Sequence, residues 1–211
     1  MKKTGLGLVF AFLLVGVYLA LKPSAPVYDG VIVGLPWQIK VLADGRSEVF
    51  GLILEGSTLQ QADTRLGNDR ELAVLVGKDQ QPRLEMYYQK FKAGPVSGYL
   101  ILSFAAEAED LRRLIGQRTV SEYTSSGSRK YKLGADDRAG LESLLLQQML
   151  FIPSINLDAS MIEGRFGVPE SKESTAPHLV RYFYPQQGLE IALHEESKEV
   201  LRYVAPRSWS K

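Results

Sequence analysis

The longest uninterrupted apolar run is near the start of the chain. Lys2 and Lys3 precede an uncharged stretch over residues 5–21. A helix of that length spans about 25 Å, close to the minimum for crossing a bilayer, and the lysines favour a cytoplasmic N-terminus. The residues that follow lack the small side chains of a signal-peptidase site, so cleavage is the less favoured alternative. The pattern predicts a cytoplasmic tail (1–4), an uncleaved transmembrane signal anchor (5–21) and a linker (22–27).

After the linker, the pattern changes to the alternation typical of β-strands. Trp37, Ile39 and Val41 alternate with more polar neighbours, and Asp44-Gly45 supplies the residues of a tight turn before the apolar run 49–54. This pattern predicts a β-hairpin.

A short helix is predicted next. Thr58 and Gln61 have the spacing of a capping box, and Gly67 is predicted to end the helix as a left-handed residue. Three strands, bounded by glycine and proline, are predicted after it at Leu72–Val76, Leu84–Gln89 and Gly98–Phe104.

Two further helices are predicted between the halves of the chain. Apolar residues recur at helical spacing in 106–115 and again in 137–150, where they are Leu141, Leu144, Leu145 and Met149. Pro153 is expected to end the second of these helices, and residues 130–133 are a candidate edge strand.

The second half of the chain repeats the order of the first. Asp158 to Gly167 again runs from a capping residue to a glycine, Tyr182-Phe183-Tyr184 echoes Tyr87-Tyr88, and Gly188 echoes Gly98. Three strands are predicted that contain residues 182–184, 189–193 and 200–204. We therefore predict an α+β fold: an N-terminal transmembrane helix, then two related units of short helices packed on antiparallel sheet. The units cover residues 28–133 and 134–206, followed by a tail (207–211).

Composition removes several classes of function. The 25 basic and 24 acidic residues give a net charge of +1, which offers no basic surplus for nucleic acid. Cysteine is absent, which excludes disulfides, thiol catalysis and a lipidated cysteine. No cofactor is predicted.

No catalytic motif is present in the chain. It has no G-x-S-x-G sequence, and the acidic residues Asp136-Asp137, Glu109 and Asp110 stand at predicted helix starts, where carboxylates complement the helix dipole. We therefore predict a protein that is not an enzyme. An envelope hydrolase that uses serine or paired carboxylates is the alternative.

The two histidines are the candidate metal ligands. If a hairpin pairs Tyr184 with Gly188, it also pairs His178 with His194 on one face, whereas a slip of one residue separates them. Because no third ligand is fixed by the pattern, no metal site is predicted.

Aromatic residues on the predicted strands are the candidates for protein binding. Successive side chains of a strand point to opposite faces of the sheet. Half of the four candidates should therefore face the core and half the surface; they are Tyr87, Tyr88, Tyr182 and Tyr184. An exposed member of the set would be a binding hot spot.

Residues 137–204 resemble the SmpA/OmlA family, which includes the small subunit of the outer-membrane β-barrel assembly machine, and the tandem domains of β-lactamase inhibitor protein. The resemblance rests on Gly167-Val168-Pro169 after the short helix and on Tyr182-Phe183-Tyr184. The first half departs from the pattern because Gly67-Asn68-Asp69 lacks the proline, and the family's lipidated cysteine is missing. The whole chain also resembles membrane-anchored proteins of Gram-negative bacteria.

The resemblance implies a binding scaffold. The chain is accordingly predicted to be a non-catalytic, membrane-tethered protein-interaction module of the bacterial cell envelope, whose partner is another envelope protein. Its predicted location is the inner membrane, spanned once through residues 5–21, with the C-terminal part in the periplasm.

Overall fold

The computed structural model describes residues 34–116, 121–124 and 127–209. A small three-stranded antiparallel sheet comes first, with β1 (Lys40–Val41), β2 (Ser47–Val49) and β3 (Leu52–Ile53). Asp44 stabilises its first turn by accepting a hydrogen bond from the Arg46 amide at 3.1 Å. The predicted hairpin around Asp44-Gly45 is confirmed.

A ten-stranded antiparallel sheet forms the body of the described chain. Its strands are β4 (Glu71–Val76), β5 (Pro82–Ala93), β6 (Val96–Phe104), β7 (Glu122–Tyr123), β8 (Arg129–Lys132), β9 (Leu146–Pro153), β10 (Ser171–Ala176), β11 (Leu179–Tyr184), β12 (Leu189–His194) and β13 (Val200–Val204). Their spatial order is β10-β11-β12-β13-β9-β6-β5-β4-β8-β7. The three described helices are short: α1 (Leu59–Leu66), α2 (Ala108–Ile115) and α3 (Ala159–Phe166).

Helices α1 and α3 start and end as their sequences predict. Thr58 and Gln61 form the capping box of α1, and the Asp158 carboxylate accepts from the Met161 amide at the start of α3. Gly67 and Gly167 end the two helices with φ of 88° and 86°. Their ψ angles are near 180°, so the conformation is an extended one reserved for glycine and not the predicted left-handed one.

The large sheet consists of two four-stranded antiparallel segments, which we call the first and the second meander, and of β8 and β7, which extend the first meander at its outer side. Strands β4-β5-β6-β9 follow α1, strands β10-β11-β12-β13 follow α3, and β9 pairs with β13 at the seam. The registers relate the meanders by an approximate two-fold axis through the pair Leu150–Arg202. Equivalent positions are Tyr88 and Tyr184, Leu100 and Leu189, Phe151 and Tyr203, and Met149 and Leu201. Gly98 is therefore one residue out of register with Gly188.

One face of the large sheet carries the core. The alternating side chains of its strands pack there with β2, β3 and the buried sides of the helices. The buried helix residues are Leu59 and Ala62 of α1, Leu111 of α2, and Ile162 and Phe166 of α3. The opposite face, which we call the outer face, is not covered by any of these three helices.

The predicted α+β fold class is wrong. The described chain is mostly β-structure, because the two predicted units share a single sheet and their helices are only eight residues long. The largest local error is the helix predicted over 137–150. Residues Asp136–Arg138 form one 3-10 turn, and the apolar residues beyond Leu145 form β9, at the centre of the sheet.

The prediction of a single-pass inner-membrane protein is contradicted in the described part of the chain. None of the helices within residues 34–116, 121–124 and 127–209 has the length and apolar character needed to cross a bilayer. The tail 1–4, the anchor 5–21 and the linker 22–27, on which the prediction depended, lie outside the described residues.

Candidate functional site

The centre of the outer face is apolar. Tyr99 and Ile101 of β6 lie opposite Ile152 and Leu150 of β9, and these four residues form what we call the outer patch. Their neighbours Leu100, Leu102, Met149 and Phe151 point to the core and are fully buried. Tyr99 is 54% exposed, whereas the other three members are half-buried. The alternation of the two central strands therefore places apolar side chains on both faces of the sheet.

A charged network borders the outer patch on the side of the second meander. Glu190 accepts from Arg181 at 3.0 Å and from Arg202 at 3.4 Å. Arg202 also donates through Nε to Gln148 at 2.8 Å. The Glu190 side chain is only 12% exposed, so its two arginine partners stabilise the charge that burial would otherwise disfavour.

A second charged network borders the outer patch on the side of the first meander. Glu71 is paired with Lys130 and, at 3.3 Å, with Lys132. The Lys130 ammonium lies 4.1 Å from the centre of the Tyr87 ring. The Tyr87 hydroxyl donates in turn to Glu85, so five side chains of three adjacent strands form one continuous network.

The two carboxylates of this second network have unlike environments. Burial raises the pKa of Glu85, and the hydrogen bond from Tyr87 offsets that effect only in part. Burial also acts to raise the pKa of Glu71, but its contacts with Lys130 and Lys132 outweigh burial and lower the pKa below its ordinary value. A proton is therefore held more strongly by Glu85 than by Glu71.

Three of the four predicted protein-binding tyrosines are in the core. Tyr88, Tyr182 and Tyr184 are each at most 4% exposed, which excludes them as contacts for a partner. Tyr88 and Tyr184 donate their hydroxyls to the carbonyls of Gly67 and Gly167, at 3.2 and 3.0 Å. Tyr87 alone lies on the outer face, half-buried.

Tyr99, the exposed aromatic residue of the outer patch, is not among the predicted binding residues. The signal for it was present in the sequence, because Tyr99 and Ile101 alternate with Leu100 and Leu102 in a predicted strand. With both faces of the strand apolar, alternation alone does not show which of them is open.

The histidines are not brought together in the structure. Tyr184 pairs with Leu189, not with Gly188, and His194 therefore lies opposite Leu179. His178 sits in the turn before β11, where its Nδ1 is 2.6 Å from Glu195. His194 accepts from the Glu196 amide at 3.0 Å. Within the described ranges, no group of three or more His, Asp or Glu side chains is arranged to hold a metal ion.

The acidic residues predicted to cap helices have mixed outcomes. Glu109 and Asp110 lie in the first turn of α2, as predicted. Asp136 and Asp137 do not begin a long helix. Asp137 accepts from the Gly134 amide at 2.6 Å and stabilises the turn that leads to β9.

Comparisons of the chain with protein-family models, curated proteins and solved structures found no match. The SmpA/OmlA resemblance stays a prediction. The Gly167-Val168-Pro169 turn on which it rests does follow α3, but a strand replaces the helix expected over 137–150.

Proposed function

We propose that this chain is a non-catalytic protein-binding module and that the outer face of its large sheet is the binding surface. The observation that carries the proposal is the outer patch, an apolar strip on a face that none of the described helices covers. Protein interfaces commonly have such an apolar centre with a charged rim. Here the rim consists of the networks around Glu190 and Glu71, which hold long side chains in fixed positions before a partner arrives.

The partner is expected to place apolar side chains over Tyr99 and Ile101. An exposed tyrosine next to aliphatic residues provides a large contact area at a small cost in conformational entropy. The ion pairs at the rim are expected to determine orientation and specificity more than affinity.

Site-specific photocrosslinking in cells that produce the protein tests this proposal. A photoreactive amino acid at Tyr99 is expected to crosslink to a discrete protein. The same amino acid at Val168 is the matched control, because Val168 is 87% exposed yet lies off the sheet in the turn after α3. Equal crosslinking at both positions, or none at Tyr99, would contradict the proposal.

A charge placed in the outer patch gives a second test. Ile101→Glu is expected to abolish the crosslinks from Tyr99, since the carboxylate would be buried at the interface without a partner. Ile155→Glu introduces the same charge at an exposed apolar residue after β9 and should leave the crosslinks intact. The thermal unfolding midpoint of both variants controls for loss of fold.

One observation favours hydrolysis as a second candidate function. Glu85 and Glu71 are neighbouring carboxylates whose pKa values are shifted in opposite directions, as in the acid and base of many hydrolases. Both lie on an open sheet face, however, and the adjoining cleft of about 300 Å³ is lined by Glu71 and Tyr87 but not by Glu85. Hydrolysis of cell-wall glycans by the purified protein, lost in Glu85→Gln, would favour an enzyme over a binding module.

A further inference from the structure

A cleft of about 590 Å³ opens at the end of the second meander, between the residues before α3 and the loop that joins β12 to β13. Its walls are residues 156–159 on one side and 193–199 on the other. Leu157 and Leu193 contribute apolar surface, and carboxylates stand among the polar residues of the lining.

Glu199 is the unusual residue of this cleft. It is 3% exposed, and its Oε2 has no hydrogen-bond partner in the part of the chain that the structure describes. Burial of a carboxylate is unfavourable unless a cation or donor compensates it. Glu199 therefore brings to the cleft a carboxylate with one oxygen, the buried Oε2, that no described group satisfies.

The other carboxylates of the cleft differ in how far they are engaged. Asp158 caps α3, accepting from the Met161 amide at 2.8 Å, and Glu195 is bound by His178. Glu196 and Glu199 are left without a side-chain partner among the described residues. The cleft therefore carries unneutralised negative charge beside its apolar walls.

Lys198 does not neutralise this charge. Its ammonium donates to the Ser154 carbonyl at 2.9 Å and to Asn156 Oδ1 at 2.6 Å, and it makes no ion pair with a carboxylate in the described part of the chain. The ammonium of Lys198 is thus bound to Asn156, on the wall of the cleft opposite Glu199.

We propose that this cleft binds an alkylammonium group, with the alkyl chain against Leu157 and Leu193 and the ammonium on Glu199 and Glu196. A lysine side chain of another protein and a free polyamine share this chemistry. The proposal is independent of the proposed function, because the cleft contains no residue of the outer patch.

Calorimetric titration of the full chain tests the proposal with two probes, spermidine and a blocked Ala-Lys-Ala tripeptide. We expect at least one of them to bind, and the tighter one identifies the source of the ammonium. Glu199→Gln should weaken that binding about tenfold or more, because it replaces a charged acceptor with a neutral one of the same shape. Glu170→Gln, which removes an exposed carboxylate outside the cleft, should leave affinity unchanged.

A second variant leaves the buried position untouched. Ser197→Lys adds an ammonium at an exposed residue of the lining and should weaken binding about threefold or more. Ser174→Lys on exposed β10 is its matched control. The proposal is overturned if neither amine binds or if both cleft variants bind as tightly as the parent. It is also overturned if the lysine peptide binds and a blocked Ala-Gln-Ala tripeptide binds equally well.

Discussion

The helix–glycine turns of the two meanders have the same backbone design. In each, an eight-residue helix with a side-chain N-cap ends at a glycine, Gly67 or Gly167, whose amide donates to the helix at 3.0 Å. In each, a buried tyrosine of the second strand donates its hydroxyl to that glycine's carbonyl. The two turns therefore share one backbone arrangement.

The side chains that stabilise the two turns are different. In the first, Asp63 is paired with Arg70, whose side chain is 3% exposed. In the second, the equivalent Glu163 is paired with Lys172 in an exposed position. The second turn relies on ring packing instead, because Phe166 contacts Trp37 and Tyr184. A common backbone plan is thus compatible with buried charge in one half and aromatic packing in the other.

The ion pairs should show the largest difference between the halves. Arg70→Met is expected to lower the free energy of unfolding by about 3 kcal/mol, because it leaves Asp63 partly buried without its closest cation. Lys172→Met should cost less than about 1 kcal/mol, as is usual for an exposed pair. Urea denaturation of both variants measures the difference. Equal losses of unfolding free energy would show that the burial of Arg70 does not determine the strength of its ion pair.

The glycines should show equal effects of intermediate size. An added Cβ at Gly67 or Gly167 meets no atom within 4 Å, so an alanine there costs only backbone strain. For this glycine-only region we expect a loss of about 1–3 kcal/mol at each position, measured by the same denaturation.

Asparagine distinguishes the observed conformation from the left-handed one. Asparagine tolerates the left-handed region, but ψ near 180° removes that advantage. Gly167→Asn should therefore be no more stable than Gly167→Ala. A clearly more stable asparagine variant would indicate that residue 167 has the left-handed conformation after all.

The tyrosine hydroxyls should contribute about 1 kcal/mol each. Tyr88→Phe and Tyr184→Phe remove only the hydrogen bond to the glycine carbonyl and keep the ring in the core. Similar losses of unfolding free energy in both variants would support equivalence of the turns. A loss of stability in only one variant would show that the two turns are equivalent in their backbone alone.

Alkaline solution should show the smallest difference between the halves. Burial, helped by the nearby Asp63 or Glu163 carboxylate, raises the pKa of Tyr88 and of Tyr184 from 10.0 to about 12. A raised folded-state pKa means that the stabilisation is complete below pH 10 and is lost as pH rises towards 12. Between pH 9 and 12, the free energy of unfolding should fall less steeply in Tyr88→Phe and in Tyr184→Phe than in the parent protein. The reduction in slope should be similar in the two variants. An unchanged slope would contradict this assignment.

Local signals predicted the turns well and the centre of the sheet poorly. The capping residues Thr58 and Asp158 are satisfied within three positions of the chain, so their spacing is sufficient. Strand β9 is different, because its neighbours on both sides are distant in sequence and apolar residues occupy both of its faces. Such a run matches helical spacing as readily as a strand.

The register of β11 and β12 shows the same limit at the level of one residue. The connection is a 3-10 turn over Pro185–Gln187 that ends at a left-handed Gly188, so β12 begins at Leu189 and not at the glycine. That single position separates His178 from His194 and decides against the cross-strand pair. Composition does not encode the length of a turn.

The position of β9 also has a consequence for how the chain reaches its native state. Strands β4-β5-β6 and β10-β11-β12-β13 each join neighbours by short turns, whereas Phe151 of β9 lies opposite Leu100 and Leu201, each about 50 residues away. Insertion of β9 closes both long loops and should limit the folding rate. Until then, β6 and β13 each have an unpaired edge that another chain can occupy, so slow insertion of β9 is the step at which aggregation competes with folding.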